Sequence, residues 1–180
     1  SMTKNFKSTQ PGIPYFVTFT VVEWLNVFTK PEYLQILWDS LQYCRNEKGL
    51  RLFGFVFMTN HVHLIISAHD ENIKLWQIIR DFKKFTAQKI IQVMQKEENR
   101  HWILDVMRTV GKQNNANTQY QFWIQDDGAE EIQSDKFFIQ KLNYIHDNPV
   151  RAGIVTDACG YVWSSARLYE KDDFSLIDRI

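Results

Sequence analysis

The sequence has few cysteines, no long apolar run and no excess of either charge. Cys44 and Cys159 are too few and too unpatterned for a disulfide scaffold or a zinc ribbon. No apolar stretch approaches the ~18 residues of a membrane span, and the N-terminus lacks the apolar segment of a signal peptide. We therefore predict a reduced, cytoplasmic protein with no membrane contact. Because 21 basic residues balance 21 acidic ones, a polyanionic ligand would need a local basic patch.

The composition is that of a folded protein. Hydrophobic residues make up 44% and aromatic residues 14% of the chain, which is typical of a globular protein and not of a disordered one. The length favours one domain over residues 1–180. Within it, the polar and aperiodic stretch GKQNNANTQ at 111–119 predicts a flexible surface loop, and we expect residues 1–12 to be flexible as well.

The hydrophobic pattern predicts the order β-α-β-β-α-β, followed by one more helix. This is the pattern of an α+β protein with a ferredoxin-like split βαβ fold, in which the sheet is mostly antiparallel. Helices can then cover one face of the sheet and leave the other partly open to a ligand. The predicted strands span 15–22, 51–58, 61–69 and 120–125, and the predicted helices span 31–49, 73–97 and 136–148, the last one ending before Pro149.

The strand MTNHVHLII carries two histidines on one face. Since successive side chains of a strand point to opposite faces, His61 and His63 project together, while Val62, Leu64 and Ile66 turn towards a core. Two neutral imidazoles at this spacing can converge on one metal ion. They can equally be ordinary, partly buried histidines, and the strand alone leaves both interpretations open.

The long helix at 73–97 has a basic exposed side. Between Ile73 and Lys96 it carries six basic residues and one acidic residue, a net charge of +5. Such a face is either a solvated surface or a footprint for a phosphate backbone. The segment from Asp126 to Asp135 has five acidic residues and no basic one, so we expect it to lie away from any DNA-binding surface or to face a partner.

The last predicted helix brings a tyrosine and an amide to one face. Tyr144 and Asn148 are four residues apart and are therefore stacked along the helix. A tyrosine hydroxyl is a poor nucleophile at pH 7, because its ordinary pKa is near 10. It becomes useful when a metal ion polarises the phosphodiester that it attacks. An open site with imidazole and oxygen ligands suits Mg²⁺ or Mn²⁺. Taken alone, Tyr144 can also be a packing residue.

Together these motifs resemble a known family. HVH is similar to the His-hydrophobic-His signature of the HUH nuclease superfamily. Combined with Tyr144 and the run YIHDNPVRAGIV, it resembles the REP-associated tyrosine transposases, which are single-tyrosine transposase-like proteins. The other blocks that resemble the family follow in the same order along the chain: FVTFTVV, FVFMTNHVHLII, LWQIIRDFKKFTAQKII, QFWIQDD and WSSARLY.

The resemblance implies a single HUH transposase-like domain whose added C-terminal helix is catalytic. It makes His61 and His63 ligands of Mg²⁺ or Mn²⁺ and Tyr144 the nucleophile, and it sets Asn148 where related enzymes carry a further polar ligand, often Gln. It implies a single-stranded DNA endonuclease and strand transferase that recognises hairpin DNA and forms a 5′-phosphotyrosine intermediate. Relatives include both homodimers and monomers, and the sequence does not decide between them.

Five basic residues are candidates for contacts to the DNA. For Arg151 a salt bridge to the acidic segment is the alternative. Two other functions stay open, namely a DNA-hairpin-binding or regulatory protein that has lost cleavage, and an unrelated metal hydrolase that needs no tyrosine. The candidate DNA contacts are Arg80, Lys83, Lys84, Lys141 and Arg151.

Overall fold

The described residues contain one antiparallel sheet of four strands. The structure is a computed structural model, and it describes residues 6–114, 119–125 and 128–180. Its strands are ordered β2-β3-β1-β4 across the sheet, with β1 and β3 in the centre, which confirms the predicted ferredoxin-like arrangement. The strands span Tyr15–Thr20 (β1), Leu50–Phe57 (β2), His61–Ala68 (β3) and Ala129–Glu131 (β4).

Helices cover both faces of this sheet. None of the described helices is long and apolar enough to cross a membrane. The predicted helices at 31–49 and 73–97 form, and the structure adds a helix after them that the sequence analysis does not predict. The α-helices of the described residues span Pro31–Glu47 (α1), Leu75–Gln95 (α2), His101–Gln113 (α3), Asp135–Arg151 (α4) and Ala166–Glu170 (α5).

The alternation of side chains along β3 divides the interior into two cores. Val62, Leu64 and Ile66 face α1, α2 and α3 in the larger core, as predicted. Ile65 points the other way, into a smaller core with Leu142 and Ile145 of α4. Because His61 and His63 share the face of Ile65, α4 packs on the same side of the sheet as the two histidines.

The fourth strand lies later in the chain than predicted. The stretch 120–125 makes only an isolated bridge, between Trp123 and Val21, although Trp123 is buried in the core. Its neighbour Phe122 is buried too, and both aromatic rings pack in the larger core. The edge of β1 is occupied instead by Ala129–Glu131, whose residue types have low β-propensity.

The last helix does not end at Pro149. It continues through the proline to Arg151 for local reasons. A proline inside a helix removes one backbone hydrogen bond, here the bond to the carbonyl of Ile145. The Pro149 ring is buried, and the backbone N–H of Ala152 donates to the carbonyl of Asn148, so the helix continues past the proline. It stops before Gly153, which adopts a φ of 74° and whose N–H donates to the carbonyl of Val150.

The two segments predicted to be flexible fall partly outside the described residues. Of the predicted loop 111–119, residues 111–113 belong to α3, because Val110 and Gly111 are buried and extend its apolar face; residues 115–118 are not described. Of the predicted flexible start, residues 1–5 are not described. Phe6 packs its ring edge against Phe19, with ring centroids 6.0 Å apart. Mobility of these segments stays a prediction.

Candidate active site

The start of β3 places two imidazoles side by side. His61 and His63 lie opposite Thr20 and Thr18 of β1 in the antiparallel register. The centroids of the two imidazole rings are 4.7 Å apart. His63 is buried and His61 half-buried. The start of β3 therefore places the imidazole nitrogens of His61 and His63 close together at one end of the sheet.

Both histidines are held through their Nδ1 atoms. Nδ1 of His61 is 2.7 Å from Oδ1 of Asn60, to which its N–H donates, and Nδ1 of His63 is 2.8 Å from the Thr18 hydroxyl. Donation from Nδ1 leaves the Nε2 lone pair of His61 available, as in metal-binding histidines whose other nitrogen is hydrogen-bonded. The same holds for His63 in the tautomer whose Nδ1 donates to the Thr18 hydroxyl. The roles of Asn60 and Thr18 were not predicted from the sequence. Asn60 directly precedes His61, whereas Thr18 is found only from the strand register.

Both imidazoles are neutral at pH 7. Burial lowers the pKa of His61. Burial lowers the pKa of His63 to about 3, with further lowering by His61 when it is protonated and by the positive charges of Arg151 and Lys141. A neutral imidazole is the form that binds a metal ion, so at pH 7 both rings are in the protonation state that a metal ion requires.

Helix α4 brings Tyr144 to the histidines. The helix begins after Ser134, whose hydroxyl accepts from the backbone N–H of Phe137 at 3.1 Å. The ring of Tyr144 meets the ring of His63 edge to face, with centroids 5.5 Å apart, and lies 5.9 Å from the ring of Phe16. Because Tyr144 is 43% exposed, a ligand from solvent can reach it beside the buried His63.

Lys141 lies one turn before Tyr144 on α4. Its ammonium group is 5.7 Å from the centroid of the Tyr144 ring and 4.6 Å from that of Phe16. Glu130 of β4 pairs with it at 3.4 Å. Glu130 of the acidic segment thus lies next to the candidate site, because β4 pairs with β1 there. That the acidic segment lies away from a DNA-binding surface or faces a partner stays a prediction. Asp126 and Asp127 lie outside the described residues.

Arg151 is stacked on the candidate nucleophile. Its guanidinium carbon is 4.4 Å from the centroid of the Tyr144 ring. Nη2 of Arg151 donates to the Tyr144 carbonyl at 3.0 Å, and Nη1 is 3.8 Å from a carboxylate oxygen of Asp147. The acid that pairs with Arg151 thus comes from its own helix, one turn earlier, and Arg151 closes over the tyrosine from the C-terminal side.

The donor set near the histidines fits an open metal site. No group of three or more His, Cys, Asp or Glu side chains suited to a metal ion occurs among the residues that the structure describes. Two neutral imidazoles on one face are therefore the only strong donors at this position within that part of the chain. Asn148 is half-buried one turn after Tyr144, on the same face of α4. An ion held here would keep positions open for water or phosphate oxygens.

The basic residues of α2 do not meet this site. Arg80, Lys83 and Lys84 lie on the helix that packs against the opposite face of the sheet. Lys83 is held within the fold, since its Nζ donates to the Ile124 carbonyl at 3.2 Å and lies 5.2 Å from the centroid of the Phe19 ring. Arg80 and Lys84 are exposed, and Arg80 pairs with Asp81 at 3.0 Å.

His146 of α4 points away from the candidate site. Its Nε2 is 2.7 Å from the hydroxyl of Ser165, which in turn accepts from the backbone N–H of Phe55 at 3.0 Å. Burial lowers the pKa of His146 to about 4. This histidine therefore ties α4 to β2 behind the tyrosine.

Comparisons with known proteins show what the chain is similar to. The chain matches the family model described as transposase IS200 like over residues 11–121, a range that contains both histidines and ends before Tyr144. It is also similar to a solved structure of a REP-associated tyrosine transposase bound to a REP hairpin, with a TM-score of 0.64, 16% identity and 99% of each chain covered. At that identity the likeness shows the fold alone. Among curated proteins, none matches the chain.

Proposed function

Because the chain belongs to the IS200-like transposase family, we propose that it is a metal-dependent, single-stranded DNA endonuclease and strand transferase with Tyr144 as nucleophile. The observation that carries the proposal is the meeting of β3 and α4. Two neutral imidazoles and an exposed tyrosine from distant parts of the chain converge there, with ring centroids of His63 and Tyr144 5.5 Å apart. A packing tyrosine would need neither the paired histidines nor its exposed edge.

His61 and His63 would hold Mg²⁺ or Mn²⁺ through their Nε2 atoms, and Asn148 would add an amide oxygen. The Nδ1 contacts to Asn60 and Thr18 support this role, because they fix the orientation of both rings. A bound divalent ion neutralises the negative charge that develops on the scissile phosphate and orients that phosphate for in-line attack.

Tyr144 would attack the phosphorus of the scissile phosphodiester through its phenol oxygen. The bond from the Tyr144 oxygen to phosphorus forms, the bond from phosphorus to the 3′ oxygen breaks, and the phenol proton passes to solvent. The products are a 5′-phosphotyrosine and a strand whose 3′ oxygen has taken up a proton. Since the covalent intermediate conserves the phosphodiester, a 3′-hydroxyl of another strand can reverse the step and rejoin DNA.

The substrate would be a single strand that carries a hairpin. The structurally similar transposase is bound to a REP hairpin, which supports this class of ligand. Lys141 and Arg151 flank Tyr144 and would attract the phosphates on either side of the cleaved bond. Arg80 and Lys84, exposed on the other side of the sheet, would hold the more distant part of the DNA.

The test uses labelled single-stranded hairpins taken from DNA that flanks the gene, incubated with the protein and Mn²⁺. We expect cleavage and a protein-linked DNA species on a denaturing gel. Tyr144→Phe should abolish both and keep hairpin binding. Tyr43→Phe is the matched control, because Tyr43 is 57% exposed on α1 and should not affect either product.

Two other results would replace the proposal. Binding of the hairpin without cleavage by the wild-type protein would favour a binding or regulatory protein. Cleavage that survives in Tyr144→Phe and is lost in His63→Ala would favour a metal hydrolase that does not use the tyrosine.

A further inference from the structure

A tryptophan beyond the end of β1 is exposed in a strained turn. The Trp24 side chain is 62% exposed. Glu23 and Trp24 both have left-handed backbone conformations, with φ of 55° and 53°. Such conformations are unfavourable for residues with side chains, and consecutive ones persist where the surroundings impose them, often at functional sites. The large apolar ring is thus presented to solvent at a conformational cost that glycine would avoid.

Hydrogen bonds connect this turn to the histidine site. The backbone N–H of Trp24 donates to the Val21 carbonyl at 3.1 Å. The Trp24 carbonyl accepts from Nδ2 of Asn60 at 3.4 Å, and Oδ1 of the same amide accepts from Nδ1 of His61 at 2.7 Å. One asparagine therefore contacts both the tryptophan turn and the candidate metal ligand, so the turn lies beside His61.

Trp24 also forms one wall of a cavity of about 490 Å³. This volume falls within the roughly 300–1,000 Å³ of small-molecule sites. Gln121 is a fixed part of the wall, since Oε1 accepts from Asn114 at 2.6 Å and Nε2 donates to the Trp123 carbonyl at 3.2 Å. Glu23 and Gln125 line the opening and are exposed.

The chemistry of this cavity fits a nucleobase and not a phosphate. An indole face stacks on planar heterocycles of any sequence. The carboxylate of Glu23 would repel a phosphate, but it can accept a hydrogen bond from an exocyclic amine of a base. The amides of Asn114 and Gln125 can donate to or accept from a base edge.

We propose that Trp24 and the cavity beside it form a subsite that holds one unpaired base of the DNA strand close to the cleaved phosphodiester. The subsite rests on the proposed function, because it requires a single-stranded substrate at the histidine end of the sheet. Trp24 would stack on the base, and Asn60 would link the position of the bound base to that of His61. The base would stay out of the duplex while its neighbouring phosphate faces Tyr144.

The experiment measures binding of labelled oligo-dA, oligo-dC and oligo-dT strands by fluorescence anisotropy over a range of salt concentrations. Trp24→Ala should weaken binding by about fivefold to a hundredfold, the range that loss of one base stack produces. The salt dependence of DNA binding by Trp24→Ala should equal that of the wild type, because no phosphate contact is removed. Trp24→Phe should retain most of the affinity. Trp102→Ala is the matched control, since Trp102 is 59% exposed on α3 and should bind like the wild type.

A second variant separates stacking from a structural role. Trp24→Gly suits the left-handed backbone, so its Tm should equal or exceed that of the wild type while its affinity falls as in Trp24→Ala. A lowered Tm in Trp24→Gly would overturn the subsite, as would wild-type affinity in Trp24→Ala. In either case, wild-type binding of the single strands and the adduct on the hairpin would leave the proposed function standing. A wild-type protein that binds none of the strands and forms no adduct would overturn both.

Discussion

The guanidinium of Arg151 and the phenol ring of Tyr144 are stacked, with the guanidinium carbon 4.4 Å from the ring centroid. The same guanidinium donates to the carbonyl of that tyrosine at 3.0 Å. Two contacts to one residue restrain both the side chain and the backbone of Tyr144. Arg151 is therefore placed to orient the nucleophile, in addition to any attraction that it exerts on a phosphate.

Arg151→Ala tests this orienting role. We expect the rate of adduct formation at saturating DNA to fall by about tenfold, because one misplaced group commonly costs this much or more. The affinity for the hairpin should fall by no more than the loss of one phosphate contact produces. Arg151→Lys should restore little of the rate, since an ammonium group lacks the planar surface that stacks on the ring. An unchanged rate with a weaker salt dependence of binding would identify Arg151 as a phosphate contact only.

Asn60→Ala should weaken metal binding. Without the side-chain oxygen, Nδ1 of His61 loses its acceptor at 2.7 Å, and changes of this kind typically reduce metal affinity by about 10- to 100-fold. Titration of the DNA-free protein with Mn²⁺, followed by electron paramagnetic resonance, measures this affinity without any DNA cleavage. Asn26→Ala is the control, because Asn26 bonds only the nearby Thr59 hydroxyl in the described residues. Equal Mn²⁺ affinity in Asn60→Ala and the wild type would contradict the account.

Lys83 and Lys84 are neighbours in sequence that should behave differently. Lys84→Ala removes an exposed charge, so on single-stranded DNA the log-log salt slope should fall by about 0.7 if that charge contacts a phosphate. Lys83→Ala removes a donor to the Ile124 carbonyl, so it should lower the free energy of unfolding by about 1 kcal/mol and leave the slope nearly unchanged. A lower salt slope with an unchanged free energy of unfolding in Lys83→Ala would contradict the structural role of Lys83.

Acid should destabilise the fold through its buried histidines. The pKa of His63 is lowered to about 3 and that of His146 to about 4, mainly by burial, whereas an unfolded histidine takes up a proton near pH 6.5. Between pH 6.5 and about 4 the unfolded state thus binds more protons than the folded state. The free energy of unfolding then decreases as pH falls, by about 1.4 kcal/mol per pH unit for each histidine.

Urea unfolding at pH 7, 6 and 5 measures this dependence. His146→Gln removes one of the titrating groups, so its decrease in the free energy of unfolding between pH 6 and pH 5 should be smaller than that of the wild type by about 1 kcal/mol. An equal decrease in the two proteins would contradict the assignment of His146 as a buried neutral group.

The histidine face was predictable because it depends on local alternation. Val62 and Leu64 enter one core and His61 and His63 point away from it, as the period of a strand requires. The fourth strand was not predictable from propensity, because Ala129–Glu131 pairs through its backbone although its residue types disfavour strands. The aromatic stretch at 120–125 has strand-like residues that serve the core instead.

The partners of the site residues required the folded chain. Thr18 reaches His63 only through the register of β1 and β3, and Glu130 reaches Lys141 only because β4 is the edge strand beside β1. The basic face of α2 was correctly placed on a helix, but the sequence could not show that this helix packs on the sheet face opposite the histidines. Contacts between distant segments depend on how whole helices and strands pack together, and the pattern of residues along the chain does not specify that packing.

The most direct measurement identifies the residue that becomes linked to DNA. The protein is incubated with Mn²⁺ and a single-stranded hairpin from DNA flanking the gene, digested with protease and nuclease, and analysed by mass spectrometry. The account predicts a nucleotide attached through a 5′ phosphate to the peptide that contains Tyr144, and its absence in Tyr144→Phe. A nucleotide on another residue, or cleaved DNA with no linked peptide, would contradict the account.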